Sequence, residues 1–244
     1  MSYIDIWLDE QKSSDAAIWL LSERDGKRDE AFELLCASAM NHLIGDDILG
    51  RMGFPLAAAA VRNRLPTEKR IRSGDLGEII ATDYLIHKAE FTVPLLRLRY
   101  KDDRNMSMRG DDIIALDLSA TPVRILKGEV KSRAQLAGTA IAEACHALAS
   151  HGGRSKPSSL SFLSMQLRRQ GSDALASVLE SLQEADVDPG RIVHLVFTLS
   201  GNIPTPYFTG PAAEQVAVSE RRFVGLRVVD HQQLIARVFA ALNA

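Results

Sequence analysis

Cysteine is scarce in this sequence, and long apolar runs are missing from it. Cys36 and Cys145 are the two cysteines, and neither belongs to a CxxC or Cys-x-His pattern of the kind that zinc sites use. They also lie far apart in sequence, which argues against a disulfide. No apolar segment approaches the roughly 18 residues that cross a bilayer. The sequence therefore predicts a protein without membrane segments, zinc or disulfides, and we expect it in the cytoplasm.

An excess of basic charge is missing as well. The 244 residues include 29 Lys and Arg against 31 Asp and Glu, which gives a formal net charge of −2. Proteins that coat nucleic acid non-specifically usually carry an excess of basic residues, so the net charge argues against this class of protein. The net charge does not argue against local basic patches on the surface. Hydrophobic residues make up 46% of the chain, which is ordinary for a globular protein with a buried core.

Signatures of several enzyme classes do not occur. Asp25-Gly26-Lys27 lacks the glycine-rich approach and the following Ser or Thr of a phosphate-binding loop, so ATP hydrolysis would have to come from a partner. GxSxG and HExxH motifs are absent. The six histidines are scattered without ligand spacing, which is more typical of surface or core residues than of catalysts. We expect no small-molecule cofactor.

The most informative stretch runs from residue 109 to residue 133 and predicts a β-hairpin. Residues 113–116 and 123–126 are short apolar runs. The turn-forming sequence Ser-Ala-Thr-Pro lies between them at 119–122. Two strands joined by this turn should pair with each other.

Polar side chains of this hairpin can converge on one point. Side chains alternate between the two faces of a strand, so Glu129 and Lys131 point the same way while Val130 points into the core. Asp112 stands at the start of the partner strand. This pattern predicts a metal site with an ammonium group beside it. A Glu-x-Lys triplet alone arises by chance about once in a few hundred residues, and a surface ion pair is the alternative.

The order of these residues resembles the PD-(D/E)xK nuclease superfamily, which has the restriction-endonuclease-like fold. The matching residues are Gly110, Asp112 and the triplet Glu129-Val130-Lys131. The glutamate that this superfamily carries on an upstream helix corresponds to Glu78 in GDLGEIIATDYL. More narrowly, SGDLGEIIATDYL, MRGDDIIALDL and ILKGEVKSR, in this order, resemble the nuclease subunits of the Hachiman anti-phage defence system, which work with a helicase partner.

The resemblance implies a metal-dependent hydrolase of DNA phosphodiester bonds. Asp112, Glu129 and the carbonyl of Val130 would hold Mg²⁺ or Mn²⁺. Glu78 would bind a second metal ion or hold a water on the first. Lys131 would orient the attacking water and stabilise developing negative charge. A base role for this lysine would require loss of its proton, which a neighbouring cation favours.

Two acidic residues leave alternatives open. Asp111 competes with Asp112 for the ligand role, and the resemblance favours Asp112 because this acid abuts the apolar strand. On spacing alone, Glu78 is better explained as a surface carboxylate in the first turn of a helix, where negative charge is favourable, and the motifs downstream reverse this preference.

Basic residues near these motifs are candidates for DNA contact. Residues 62–72, RNRLPTEKRIR, form either a solvated connector or a phosphate-contacting segment. The candidate nucleic-acid-binding residues are Arg70, Arg72, Arg109, Arg133 and Gln135.

The remaining pattern predicts an α/β protein with a mixed sheet flanked by helices, a restriction-endonuclease-like sandwich. Expected helices cover residues 29–40, 46–60, 75–88, 134–150, 160–185, which Gly171 can interrupt, and a last helix capped by Asp230 that ends at Leu242. Expected strands cover 94–100, 191–199 and 224–229 besides the hairpin. Residues 3–8 are predicted as a strand, 16–21 as a helix, and 201–222 as loop. We expect a mostly helical N-terminal region at 1–73, packed on a nuclease-like domain at 74–244.

The leading hypothesis is a DNA nuclease effector of an anti-phage system, regulated by a partner helicase. One alternative is a non-catalytic subunit that binds nucleic acid or the partner. Asp112, Glu129 and Lys131 argue against it, because a site without activity has no need to keep all three. Another alternative is a structure-selective repair nuclease of the same superfamily.

Overall fold

The computed structural model describes residues 1–13, 17–44, 63–89, 91–184, 187–214, 216 and 218–243. The helices are α1 (Tyr3–Trp7), α2 (Lys27–Ile44), α3 (Lys69–Lys88), α4 (Gly138–Ala149), α5 (Pro157–Arg169), α6 (Asp173–Glu184), α7 (Thr205–Ala213) and α8 (His231–Leu242). The strands are β1 (Leu8–Lys12), β2 (Ile18–Glu23), β3 (Ile113–Asp117), β4 (Arg124–Arg133), β5 (Ile192–Ser200) and β6 (Glu220–Arg227). Within these ranges, no helix is long and apolar enough to cross a membrane.

Six strands form one mixed sheet in the order β1-β2-β6-β5-β4-β3. The four inner strands β2, β6, β5 and β4 are parallel, and each outer strand pairs antiparallel with its neighbour. One face of the sheet packs against α1, α2, α3 and α8. The other face packs against α4 and α7 and, near β3, against α5 and α6. The predicted α/β sandwich with a mixed sheet flanked by helices is confirmed.

The centre of this sheet is β5. Its sequence IVHLVFTLS is buried at every position. A strand covered by helices on both faces needs apolar side chains on both, which is why it reads as a continuous apolar run. The predicted strand at 191–199 and its central position are confirmed.

The predicted hairpin is also confirmed. β3 and β4 pair antiparallel, with Ile113 opposite Gly128 and Asp117 opposite Arg124. The Asp117 carboxylate accepts backbone hydrogen bonds from Ser119 and Ala120. Asp117 therefore stabilises the turn and takes no part in the candidate site.

The predicted break at Gly171 separates α5 from α6. Gly171 has a φ of 74°, a left-handed conformation that glycine adopts without steric cost. The helix predicted at 160–185 is therefore two helices joined at this glycine. The helix predicted at 46–60 lies outside the described residues.

The order of elements predicted for the first 25 residues was wrong. The chain begins with helix α1, which Ser2 and Asp5 cap through reciprocal side-chain hydrogen bonds. The run predicted as helix at 16–21 falls on β2, because this segment pairs in parallel with β6 and completes the sheet. A tertiary pairing of this kind overrides weak local periodicity. The domain boundary at residue 73 stays a prediction.

The strand predicted at 94–100 was wrong as well. Arg97–Tyr100 is a short 3-10 turn, and the described backbone just before it pairs with the sheet through one isolated bridge, between Thr92 and Leu116. Pro94 has no backbone N–H, so it cannot continue a strand ladder from that bridge.

One further segment and one predicted helix cap differ from the prediction. The loop predicted at 201–222 contains α7, in which Pro206 occupies the first turn, a position where its missing N–H has no cost. Helix α8 begins where it was predicted, but the Asp230 side chain makes no capping hydrogen bond.

A buried carboxylate ties the N-terminal elements to α3. Asp83 accepts hydrogen bonds from the Tyr3 hydroxyl at 2.8 Å and the Ser38 hydroxyl at 2.6 Å, and its other oxygen lies 2.9 Å from His42 Nε2. Burial raises the pKa of Asp83, but the bonds from His42, Ser38 and Tyr3 outweigh burial and hold it below its ordinary value. The ionised carboxylate thus joins α1, α2 and α3.

We expect Asp83→Ala to lower the free energy of unfolding by about 3 kcal/mol, because it leaves the buried Tyr3 and His42 groups and the half-buried Ser38 hydroxyl without this acceptor. Urea unfolding followed by circular dichroism measures this change. Asp83→Asn should cost less because it keeps one acceptor oxygen. The exposed Asp25 provides a control, and Asp25→Ala should change stability by less than about 0.5 kcal/mol. Equal stability of the Asp83→Ala variant and the wild type would show that this network does not hold the elements together.

Candidate functional site

The close approach of α3 to β4 positions the first carboxylate. Gly77 faces the strand, and a Cβ atom there would lie 3.1 Å from Ser132 Cβ and 3.2 Å from Val130 Cγ1. Contacts this short leave little room for a side chain, so glycine lets the helix lie against the strand. The next residue, Glu78, is thereby placed beside β4.

The hairpin supplies the other predicted residues. Asp112 precedes β3, and its Oδ2 accepts a hydrogen bond of 2.9 Å from the backbone N–H of Val130. On β4, Lys131 Nζ donates to Glu129 Oε1 at 3.0 Å. The side chains of Glu129 and Lys131 are 19% and 15% exposed, so this ion pair is not the surface pair that the alternative interpretation required.

All four predicted catalytic residues line one cavity of about 950 Å³. Glu78, Asp112, Glu129 and Lys131 form part of its wall, together with Val130. We call this space the first cavity. Its other walls are the N-terminal turns of α3 and α8.

Crowding of negative charge dominates the electrostatics of this site. Burial and then repulsion by Asp112 raise the pKa of Glu78 well above its usual range. Burial also raises the pKa of Asp112, although the Val130 N–H and the positive charges of Arg97 and Lys131 oppose it. Burial and Asp112 raise the pKa of Glu129. The three carboxyl groups therefore interact, and a cation among them would stabilise their ionised forms.

Asp111 and Asp112 face different surroundings. Asp111 is 3% exposed, and its Oδ2 accepts the backbone N–H of Lys156 at 2.8 Å, while its own N–H donates to the Ser159 hydroxyl at 3.0 Å. Its other carboxylate oxygen lies 3.8 Å from the buried Lys127 ammonium. Asp111 thus anchors the start of α5, whereas Asp112 faces the first cavity.

The oxygen atoms of the first cavity suit a hard divalent cation. Within the described ranges, no three or more His, Cys, Asp or Glu side chains are already grouped closely enough to hold a metal ion. Mg²⁺, however, usually keeps several waters and takes only one or two carboxylates from a protein. Glu78 Oε2 is buried without a hydrogen-bond partner, so one carboxylate oxygen is unsatisfied at this position. Asp112 and Glu129, with the unsatisfied Glu78 oxygen lining the same cavity, are oxygen donors of the kind that such an ion takes.

Three of the predicted DNA-contacting arginines line the first cavity. Arg70 and Arg133 line this cavity and are exposed, and the exposed Lys69 lines it as well. Arg72 is partly engaged, because its Nε donates to the Pro66 carbonyl at 2.7 Å. Helix α3 starts at Lys69 and not at residue 75 as predicted, so the C-terminal part of the basic run belongs to the first turn of this helix.

The other two predicted contacts lie elsewhere. Arg109 is exposed in a second cavity of about 1170 Å³. This second cavity shares Ser107 and Asp112 with the first, so the two meet beside the carboxylates. Gln135 is exposed and lines neither cavity.

Sequence reasoning missed a polar chain along the floor of the first cavity. Ser73 and Ser132 lie 2.9 Å apart through their hydroxyl oxygens, and Ser132 Oγ lies 2.9 Å from His231 Nε2. These residues come from α3, β4 and α8, so no local spacing connects them. Of the three residues, only Ser132 lies near the motif in sequence, two residues after Val130 on the same strand.

Arg97 was also missed. It was placed on a predicted strand, but it lies in the 3-10 turn and directs its Nε to 3.9 Å from Glu78 Oε2. Both atoms are buried and neither has a hydrogen-bond partner. No pattern in the sequence marks this juxtaposition.

Together, the fold and the site define an α/β protein in which carboxylates and a lysine from one hairpin meet a helix glutamate in a basic-walled cavity. A family model described as HamA matches residues 1–242, and the chain belongs to the HamA family. The Hachiman protein HamA of Bacillus cereus is 27% identical over 190 residues, which cover 72% of this chain and 68% of that protein. The resemblance to the Hachiman subunit is thereby confirmed at the level of the family.

Proposed function

We propose that this chain is a metal-dependent DNA nuclease of the PD-(D/E)xK type and an effector of a Hachiman anti-phage defence system. The observation that carries the proposal is the meeting of Glu78, Asp112, Glu129 and Lys131 in one cavity. The name of the Bacillus cereus relative supports the assignment to this defence system.

The arrangement of the secondary structure supports the superfamily. Asp112 precedes β3, the Glu-x-Lys triplet lies within the adjacent β4, and Glu78 lies on a helix packed against that strand. The PD-(D/E)xK pattern has its helix glutamate, its aspartate and its Glu-x-Lys triplet in this same order.

The chemistry requires a water nucleophile, a stabilised phosphate and a leaving oxygen that can depart. Mg²⁺ or Mn²⁺, when bound, would lower the pKa of a water and neutralise charge on the phosphate. Asp112 and Glu129 would hold the ion with the Val130 carbonyl, and Glu78 would supply its unbonded Oε2. The Val130 N–H fixes Asp112 in place.

Lys131 has the position for a role next to the reacting phosphate. Glu129 accepts a hydrogen bond from its ammonium at 3.0 Å, which directs Nζ toward the acidic cluster. From there it can orient an attacking water and stabilise the negative charge that develops on phosphate oxygens. An ammonium group donates three hydrogen bonds, so two remain for water and phosphate.

DNA would pass across the point where the two cavities meet. The first cavity carries Lys69, Arg70, Arg72 and Arg133, and positive side chains of this kind bind the phosphate backbone. Arg109 stands on the other side of the junction, in the second cavity. A strand held by both groups would place an internal phosphate beside Asp112.

The partner would be a helicase of the same system. The sequence has no phosphate-binding loop of its own, so the ATP-driven step belongs to another chain. We propose that this helicase restrains or delivers the nuclease in the cytoplasm.

Chelation tests the metal dependence. The purified chain, alone and with its helicase partner, is incubated with supercoiled plasmid, linear duplex and single-stranded DNA in Mg²⁺, and the products are separated on gels. We expect cleavage in Mg²⁺, none in excess EDTA, and recovery when Mg²⁺ or Mn²⁺ is restored. Cleavage that continues unchanged in EDTA would contradict the metal mechanism. DNA binding without cleavage under every condition would favour the non-catalytic subunit.

A further inference from the structure

The second cavity has a wall of large apolar side chains. Two aromatic rings, Tyr100 and Phe162, line it, with their centroids 5.8 Å apart and their planes at 77°. Met106 and Met165 line it as well, and these two residues are 54% and 45% exposed. We call these four side chains the apolar wall. Apolar surface is thus accessible in a cavity that adjoins the candidate metal ligands.

The fold holds the two rings in place. Tyr100 ends the 3-10 turn, and Gln170 Nε2 donates to its hydroxyl at 2.7 Å. Phe162 lies on α5, and both rings pack against the apolar cluster beneath the cavity while remaining half-buried. An edge-to-face pair of this kind is stable beyond its buried area. The rings are therefore preorganised, which lowers the entropy cost of binding a ligand on them.

The second cavity continues the path of a bound DNA strand. It meets the first cavity at Ser107 and Asp112. Its volume of about 1170 Å³ is no smaller than that of pockets which enclose whole small molecules, roughly 300 to 1000 Å³. A strand with one phosphate beside Asp112 would place its neighbouring nucleotides in this cavity.

Charge alone does not define the ligand of this cavity. Five basic and four acidic side chains line it. Two of the basic groups are already bonded, because Lys101 pairs with Asp75 and Arg99 donates to the Asn41 side chain. Phosphate groups therefore find few free cations here, and the apolar wall is the distinguishing feature.

Nucleobases are the part of DNA that an apolar wall recognises. The flat face of a base stacks on an aromatic ring whatever its sequence, and methionine adapts its flexible thioether to such a surface. Gln166 also lines the cavity, and its amide can donate and accept hydrogen bonds at the edge of a base. In a duplex the faces of the bases are covered by one another, so they reach a protein only when the strand is unpaired.

We propose that the second cavity binds unpaired bases of the DNA strand that is cut, and that Phe162 is a specificity-determining residue for single-stranded or unwound DNA. The proposal rests on the nuclease function proposed above and adds its substrate class. Bases stack on the apolar wall while the phosphate of the same strand lies beside Asp112. A strand-separating reaction must therefore supply the substrate, which is the chemistry expected of a helicase.

The test measures binding without cleavage. Fluorescence anisotropy in EDTA, at one salt concentration, compares a labelled single strand, the same strand with abasic sites at its central positions, and the duplex. The abasic strand keeps every phosphate, so only the bases differ. For the wild type we expect the intact strand to bind on the order of tenfold more tightly than the abasic strand, as stacking of a base predicts.

Substitution of Phe162 locates the effect. Phe162→Leu keeps an apolar side chain but removes the ring, and should bind the intact strand about tenfold more weakly while its affinity for the abasic strand and the duplex changes by less than about twofold. Phe162→Tyr keeps the ring and should retain wild-type affinity. Phe32→Leu is the matched control, because Phe32 is also half-buried but lines neither cavity.

Photocrosslinking tests the same contact in the wild type, so the result does not depend on the folding of a variant. A single strand carrying 5-iodouracil at its central positions is irradiated with the chain, alone and with the proposed helicase partner. Mass spectrometry should find the adduct on the apolar wall. Adducts confined to other parts of the chain would overturn the proposal.

Three outcomes separate this proposal from the nuclease function. If the wild type binds intact and abasic strands equally but still cuts DNA, the cavity holds no base and only this proposal fails. If Phe162→Leu keeps the preference for bases and instead loses the helicase partner, the apolar wall is a protein-docking surface. If the wild type shows the preference for bases but cuts no DNA with or without the partner, the nuclease function fails and the base site stands.

Discussion

Replacement of Glu129 by glutamine is expected to reduce DNA cleavage by more than about 100-fold without unfolding the protein. Loss of a group that only supports a metal ligand costs about 10- to 100-fold, so loss of a ligand itself should cost more. Glutamine keeps the size of the side chain but cannot supply the ionised oxygens that a hard cation prefers. Initial rates of plasmid nicking in Mg²⁺ measure the effect.

The stability of this variant separates function from folding. Burial and the neighbouring Asp112 raise the pKa of Glu129, so the fold disfavours its ionised form. A neutral glutamine removes this repulsion, and we expect the variant to unfold in metal-free buffer at a temperature no lower than the wild type does. A substitution that lowers activity while keeping stability indicates a functional site.

Glu143 provides the matched control. It lies on α4 with its side chain 64% exposed, 4.0 Å from Lys131 Nζ. Glu143→Gln removes the same charge from the same neighbourhood but from outside the first cavity, so cleavage should change by less than about twofold, as expected of an exposed ion pair. Equal losses in both variants would show that general charge, and not the Glu129 ligand, determines activity.

Lys131→Met is expected to reduce cleavage by about 10²- to 10⁴-fold, the range for a side chain that positions or transfers a proton in the transition state. Methionine keeps the length and the apolar stem of lysine but has no ammonium group. Because Lys131 is not among the candidate metal ligands, Mn²⁺ binding by the variant should persist. Cleavage rates and Mn²⁺ titration together distinguish this lysine from Glu129.

Two further variants sharpen the test of Lys131. Lys131→Arg keeps the charge but replaces the compact ammonium by a planar group, so a strict positional role predicts a large loss in this variant as well. Lys27→Met removes an exposed lysine that does not line the first cavity and should leave cleavage unchanged. Full activity of Lys131→Met would remove this residue from the mechanism.

The hairpin was predictable because its determinants are local. The apolar runs of β3 and β4, the turn between them and the alternation of Glu129, Val130 and Lys131 all lie within 25 consecutive residues. β5 was predictable for a similar reason, since a strand buried on both faces is apolar throughout. Such elements determine the centre of the sheet and the core of the candidate site.

Elements that depend on distant partners were not predictable in the same way. β2 is a strand because it pairs with β6, some two hundred residues later in the chain. In the described segment around Arg97, backbone pairing with β3 is limited to the bridge between Thr92 and Leu116, and the residues that follow form a turn. The 3.9 Å approach of Arg97 to Glu78 and the contact between Ser132 and His231 also join distant segments, so no sequence spacing could indicate them.

The choice between Asp111 and Asp112 shows where structure adds to a motif. Both acids precede the same strand, and the sequence alone left the alternative open. The hydrogen bonds of Asp111 to the start of α5 direct it away from the first cavity, whereas the N–H of Val130 holds Asp112 at its wall.

The most direct test of the central claim compares plasmid nicking by the wild type and by Asp112→Asn. Supercoiled plasmid is incubated in Mg²⁺ with the chain, the proposed helicase partner and ATP. The account predicts that the wild type cuts the plasmid, that the variant still binds the partner and DNA, and that the variant does not cut. Cutting by Asp112→Asn at the wild-type rate would place the nuclease activity outside this cavity and contradict the account.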